Sequence, residues 1–178
     1  VVINYNSNAD GGNAVAVECE ALGVECLVIG GNVAEDANCL AMAGAAIEKW
    51  GRIDILVNNA GTTKFVDHSD LHGLSSDDFQ HIYGVNVIGS YQMIRAVSEQ
   101  MQSQEEGGAV VNVASTAAVT GIGSSVAYAA SKGALVTMTL SLARALGPKL
   151  RINAVCPGFI EGDWLREGLG DQKYEELM

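Results

Sequence analysis

The chain has 178 residues, 48% of them hydrophobic, which is enough for one sizeable core and about one domain. Its formal net charge of −11 argues against a phosphate-backbone binder, because nucleic-acid recognition draws on an excess of Lys and Arg. No uninterrupted apolar run of about 18 residues occurs, so no membrane span is expected, and no charged segment followed by an apolar one opens the chain as a signal peptide would.

Short β-branched runs alternate with helix-compatible stretches along the chain. Val1–Tyr5 is a predicted strand and Gly12–Leu22 a predicted helix, followed by a strand at Cys26–Ile29 and a helix at Glu35–Trp50. Ile53–Asn58 is the third strand, and Ser76–Met101 reads as one long helix capped by Ser76-Asp77-Asp78. Ala109–Ala114, the helix Val126–Leu146 and the strand Arg151–Cys156 complete the series, with Gly147-Pro148 ending the last helix. Gly23 and Gly51 sit where glycines stop helices. The strands are near-continuous apolar runs, which predicts burial on both faces. Strand and helix in repeated alternation imply right-handed crossovers and an α/β, doubly wound parallel sheet of one domain over residues 1–178.

Cys19, Cys26, Cys39 and Cys156 are scattered, with no CxxC pair and no nearby His to complete a zinc set. Reduced thiols in a cytoplasmic protein, and no metal, are the expectation.

The chemistry concentrates between residues 115 and 132. Tyr128 and Lys132 are four positions apart in a predicted helix, so both lie on one face. Ser115 follows a buried strand and therefore sits at the edge of the ligand crevice of an open α/β sheet. An ammonium beside a phenol favours phenolate, which would draw the tyrosine down from about 10 and make it a general acid/base. A serine hydroxyl beside it can donate to a carbonyl oxygen as charge develops there. A lone Tyr-x-x-x-Lys is common on helix surfaces. The joint spacing at the ends of the right elements is what lifts it above decoration.

The run Asn112-Val-Ala-Ser115 followed by Tyr128-Ala-Ala-Ser-Lys132 resembles the signature of the short-chain dehydrogenase/reductase family. Asn58-Asn59-Ala60-Gly61, Asn86 within Val85–Gly89, and Asn153-Ala-Val-Cys-Pro157-Gly158 resemble further family motifs, in the family's order. The resemblance, which extends to 3-oxoacyl-carrier-protein reductases and to glucose or other polyol dehydrogenases, implies a Rossmann-like fold and hydride transfer between NAD(P)(H) and a carbonyl or alcohol. It implies that Tyr128 exchanges the proton, Lys132 holds the nicotinamide ribose, Ser115 polarises the carbonyl, and Asn86 binds a water by distorting its helix and freeing a carbonyl. Asn59, Ala60 and Gly61 would border the cofactor, and Pro157, Gly158 and Ile160 would form the nicotinamide wall. It further implies a homodimer or homotetramer through the helices at 76–101 and 126–146.

Three departures stand out. The family's first strand and its Gly-rich phosphate turn have no counterpart, so Val1–Tyr5 matches the family's second strand. A fragment, incomplete at both ends, with two half-sheets and weak cofactor binding is the expectation. Gly162 stands where a threonine often contacts the nicotinamide, and Asn32, before Val33, where an aspartate usually meets adenine. The turn Tyr5-Asn6-Ser7 has no acid for the ribose 2′-hydroxyl, so Asn6 and Ser7 lean towards the 2′-phosphate of NADP, with NAD left open. Trp164 and Leu165 suggest an apolar lid, which favours a ketone or 3-oxoacyl thioester over a sugar or polyol. A catalytically silent scaffold on the same fold remains the alternative from another class.

Overall fold

The computed structural model describes residues 1–162, 166, 168–171, 174 and 175. Five parallel strands form in two groups. β1 (Val2–Tyr5) pairs with β2 (Leu27–Gly30), Ile3 opposite Val28. β3 (Ile55–Asn58), β4 (Gly108–Val113) and β5 (Leu150–Val155) make the second sheet in that order, with Leu56 opposite Val110 and Val110 opposite Ile152. Every crossover is helical: α1 (Ala9–Ala21), α2 (Asp36–Trp50), α3 (Ser76–Tyr83), α4 (Ser90–Ser103), α5 (Ala117–Thr120) and α6 (Val126–Leu146). The fold is α/β with parallel, helix-flanked sheets in two half-sheets, as the sequence leads one to expect.

Local sequence accounts for the element ends. The Asn8 side chain accepts from Gly11 N at 2.8 Å and starts α1. Gly51 takes the left-handed conformation that closes α2. α3 starts on Ser75, not within Ser76–Asp78 as the sequence suggested. Ser75 Oγ accepts from Asp78 N while the Asp78 carboxylate accepts from Ser75 N, a reciprocal capping box. Lys64 also donates to that carboxylate, and these bonds hold Asp78 at about 2.

Two expectations fail. The stretch Ser76–Met101 is not one α-helix, because a π-helical segment, Gly84–Gly89, separates α3 from α4. Burial on both faces fails at β3, where Ile55 is 67% and Val57 56% exposed. Among the described residues α4 is the only helix packed substantially on β3, so the other face of that strand has no cover.

The main core joins Ile94, Val97 and Met101 of α4 to Val110, Leu150 and Ile152 of the sheet, with Ala43 of α2. Each such Ile, Leu or Met contributes about 1.5–3 kcal/mol when fully buried. A second cluster of Val33, Cys39 and Met42 packs on Met93 and Ala96, and so ties the β1–β2 half to α4. α6 has the length and, over its most apolar window, the mean hydropathy (1.2) of a membrane span. It nevertheless packs on β4, β5, α3 and α5, while Leu140 on its outer side is exposed.

A ladder of buried amides runs across the second sheet. Asn58 Nδ2 donates to Asn112 Oδ1 at 2.9 Å and to the Ser90 carbonyl at 3.2 Å. Asn112 Nδ2 donates to Thr139 Oγ1 at 2.8 Å, and that hydroxyl donates to the Leu135 carbonyl. Replacing Asn112 by Ala strands the Asn58 amide and the Thr139 hydroxyl in a dry interior. The expected cost is about 2–4 kcal/mol, read as a lower urea midpoint at unchanged m-value. A loss well under 1 kcal/mol would show that the ladder is not a structural tie.

Candidate active site

The carboxyl ends of β3, β4 and β5 open on a cleft of about 400 Å³. Asn59 and Gly61 come from the end of β3, Ser115 from beyond β4, Tyr128 and Lys132 from α6, and Pro157, Gly158 and Ile160 from beyond β5. Glu161 and Gly162 complete the rim. Parallel strands deliver all these loops to one edge, which is where open α/β sheets hold ligands.

α6 enters the cleft because Ser125 caps it, its hydroxyl accepting from Tyr128 N at 3.3 Å. Tyr128 and Lys132 share the inner face of the helix, with the ammonium 5.7 Å from the phenol ring centroid. Lys132 is 4% exposed and donates to the Val113 carbonyl at 2.7 Å. Burial lowers its pKa to about 8, partly offset by the nearby Cys156 thiol.

The phenol behaves differently from the sequence expectation. Burial pushes Tyr128 above its ordinary value, and only the hydrogen-bonding Ser115 hydroxyl pulls it back. The Lys132 ammonium is itself desolvated and donates to a backbone carbonyl.

Asn86 lies in the π-helical segment and is fully buried. Its Oδ1 accepts from Thr62 N at 2.8 Å, and its Nδ2 donates to the Thr62 carbonyl and to Ser131 Oγ at 3.0 and 2.9 Å. Ser131 Oγ in turn donates to the Tyr128 carbonyl at 2.7 Å. The backbone carbonyl of Asn86 is not free as the sequence led one to expect, since Ser90 Oγ donates to it at 3.1 Å. Gly61 stands between these groups: a Cβ there would lie 3.6 Å from both Asn86 Oδ1 and Lys132 Nζ.

The other predicted cofactor residues lie elsewhere. Asn6 and Ser7 are exposed just beyond β1, and Asn32 and Val33 follow β2. Asn32 Oδ1, expected to accept from adenine, accepts from Ala34 N at 3.0 Å. Val33 is buried in the second core cluster, its carbonyl accepting from Gln92 Nε2 and Cys39 Sγ. Gly89 makes room for Val33, since a Cβ at Gly89 would come within 2.7 Å of its side chain. Ala60 does not line the cleft, although both its neighbours Asn59 and Gly61 do. Trp164 and Leu165 lie outside the described residues.

Sequence reasoning missed Ser131, Thr62 and the Val113 carbonyl. Ser131 was within reach, because positions 128, 131 and 132 share a helix face. The bonds that join Thr62 and Ser131 to Asn86 were not, since they span 24 and 45 residues.

Residues 1–172 match the family described as short chain dehydrogenase. The chain is 37% identical over 164 residues to a protein named as ketoacyl reductase 2 of the granaticin polyketide synthase from Streptomyces violaceoruber, covering 92% of this chain and 64% of that one. It is 33% identical to a 3-oxoacyl-acyl-carrier-protein reductase of Staphylococcus epidermidis, covering 99% of this chain and 72% of the relative. An L-rhamnose 1-dehydrogenase (NAD(P)(+)) of a Sphingomonas species is 32% identical, covering 100% of this chain and 69% of its own length. Among solved structures, a protein described as a short-chain dehydrogenase/reductase from Burkholderia xenovorans superposes with a TM-score of 0.87 at 37% identity, covering 96% of this chain and 70% of that one. The chain therefore belongs to the short-chain dehydrogenase/reductase family, and it spans 64% to 72% of the length of these curated relatives.

The depressed Lys132 value gives a stability prediction. Its folded pKa of about 8 lies below the ordinary 10.5, so the unfolded chain binds more protons between those values and stability rises with pH across that window. Lys132→Met removes the buried charge and should stabilise the chain by about 1–3 kcal/mol at pH 7. The advantage should shrink as pH rises from about 8 to 10.5. Urea unfolding of both proteins at pH 7 and pH 10 measures it, and a destabilised variant at pH 7 would refute it.

Proposed function

We propose that residues 1–178 form an oxidoreductase domain that transfers hydride between NAD(P)(H) and a carbonyl or secondary alcohol. The observation that carries this reading is the cleft that gathers Ser115, Tyr128 and Lys132 beside Pro157 and Gly158. A nicotinamide dinucleotide fits these residues. Gly61 and Lys132 both line the cleft, and Lys132 has two N–H donors beyond the one used by Val113. The bound dinucleotide supplies the hydride.

The protein's own part is proton handling and orientation. Tyr128, which burial raises above its ordinary value, is protonated at neutral pH, and its O–H donates to the oxygen of a carbonyl under reduction. Ser115 donates to the same oxygen and polarises it, as in other sites where charge develops on oxygen. Lys132 binds ribose hydroxyls and lends positive charge as the phenol gives up its proton. Asn86 holds the loop after β3 against α6 and so keeps Lys132 and Gly61 in register.

Reduction of a 3-oxoacyl thioester or ketone is the preferred direction, supported by the relatives named as ketoacyl reductases. The L-rhamnose dehydrogenase relative supports a second reading as a sugar dehydrogenase. NADP is preferred to NAD, since no acid precedes Asp10 in the turn after β1. The cytoplasm, where thiols stay reduced, is its compartment. Exposed Tyr91 of α4 and Leu140 of α6, with Ile88 of the π-helical segment, support pairing through these helices into a homodimer or homotetramer, to be read by light scattering.

Tyr128→Phe should lower kcat for NADPH-dependent reduction of a 3-oxoacyl thioester by about 10²–10⁴-fold with little change in KM. Steady-state NADPH oxidation measures it, and equal rates in variant and wild type would remove Tyr128 from the mechanism. A faster rate with L-rhamnose and NADP in the oxidative direction would favour the sugar reading.

A further inference from the structure

The loop after β3 meets the Tyr128 region at a second place, on the side of the phenol ring. At its start Thr62 is held by Asn86 through both its N–H and its carbonyl. Further along, the loop crosses residues 123 and 124, which lead into α6, and three bonds fasten it there. Val66 N donates to the Ser124 carbonyl at 2.9 Å. The hydroxyls of Thr63 and Ser124 share a hydrogen bond of 2.7 Å. His68 Nε2 lies 3.1 Å from the Gly123 carbonyl, and because a carbonyl only accepts, the ring donates.

Beneath this strap lies the phenol. A Cβ at Gly123 would stand 3.3 Å from Tyr128 Cδ1 and 3.0 Å from the Ala117 Cβ, so bare backbone packs here between α5 and the ring. Two residues on, the fully buried Ser125 hydroxyl accepts from Tyr128 N. The strap therefore grips the ring contact itself and the residue that joins it to the helix cap.

We propose that His68 and Thr63 are positioning residues for Tyr128, holding the Gly123 backbone against its ring so that the phenol faces the cleft beside Ser115. Neither side chain lines the cleft, and both act through residues 123 and 124. The bonds from Asn86 through Ser131 fix the helix backbone at Tyr128 but leave the ring free to turn about its side-chain torsions. The hydroxyl, at the far end of the ring, moves most when the ring tilts. A misplacement of about 1 Å at a reacting centre can cost about 10²-fold in rate. The effect on rate rests on the proposed hydride transfer, whereas the placement of the ring does not.

The test compares His68→Leu and Thr63→Val, which remove the bonding groups, with His68→Gln and Thr63→Ser, which keep them. The tyrosines are replaced by 3-fluorotyrosine, and the Tyr128 fluorine resonance is assigned by its loss in Tyr128→Phe. That resonance should shift in the first pair, with those of the other four tyrosines unmoved, and stay in place in the second. In the first pair kcat for NADPH-dependent carbonyl reduction should fall about 10-fold at unchanged NADPH affinity, and it should recover in the second. An unmoved Tyr128 resonance in the first pair, a moved one with kcat unchanged, or an equal loss in the conservative pair would each overturn the proposal. A moved resonance in a protein that oxidises no NADPH with any carbonyl would remove the hydride-transfer reading and leave the positioning of the ring standing.

Discussion

The second sheet depends on one constraint, that amides buried inside it must find partners. Asn58 and Asn112 are neighbours across β3 and β4, and each would be costly alone in a dry interior. Together they satisfy one another and spend their remaining donors on Ser90 and Thr139, one on each flanking helix. An apolar pair could fill the same space but would leave α4 and α6 free to slide along the strands. The amides fix the register, and the register sets where residues 59, 61 and 115 emerge.

A second buried amide carries that precision to the cleft. Asn86 reads both the N–H and the carbonyl of Thr62, so the loop after β3 has one preferred position. Its third bond reaches Ser131, which holds the carbonyl of Tyr128. The π-helical segment follows from this demand. An extra residue in the turn swings Asn86 inward, and the Ser90 hydroxyl then satisfies the carbonyl that the wider turn displaces.

The fold class and most element ends were legible, because period and glycine punctuation are local signals. β-strand limits shifted by no more than two residues, and α6 fell where Ser125 and Gly147 bound it. The π-helical segment was not legible as such, since Gly84, Asn86 and Gly89 hint at an irregular backbone without specifying its kind. α5 was invisible because four residues carry no periodicity. The cleft residues around Tyr128 were legible through a family motif, but their electrostatics were not. Spacing tells which charges are near, whereas burial depends on the loops from β3, β4 and β5 that close over them.

That distinction changes how the site works. Reading only the spacing, the ammonium acidifies the phenol and the pair behaves as a base poised near neutrality. In the folded chain, burial drives both groups towards their neutral forms, Tyr128 upward and Lys132 down to about 8. Such a site holds its phenol proton firmly and keeps a cation whose charge is costly to maintain. Both properties suit a reaction in which negative charge appears on an oxygen beside them, because that charge restores a partner to the ammonium as the phenol releases its proton. Under the proposed mechanism the destabilising burial of Lys132 serves the chemistry: a better-solvated lysine would stabilise the resting protein and have less to gain from the anion.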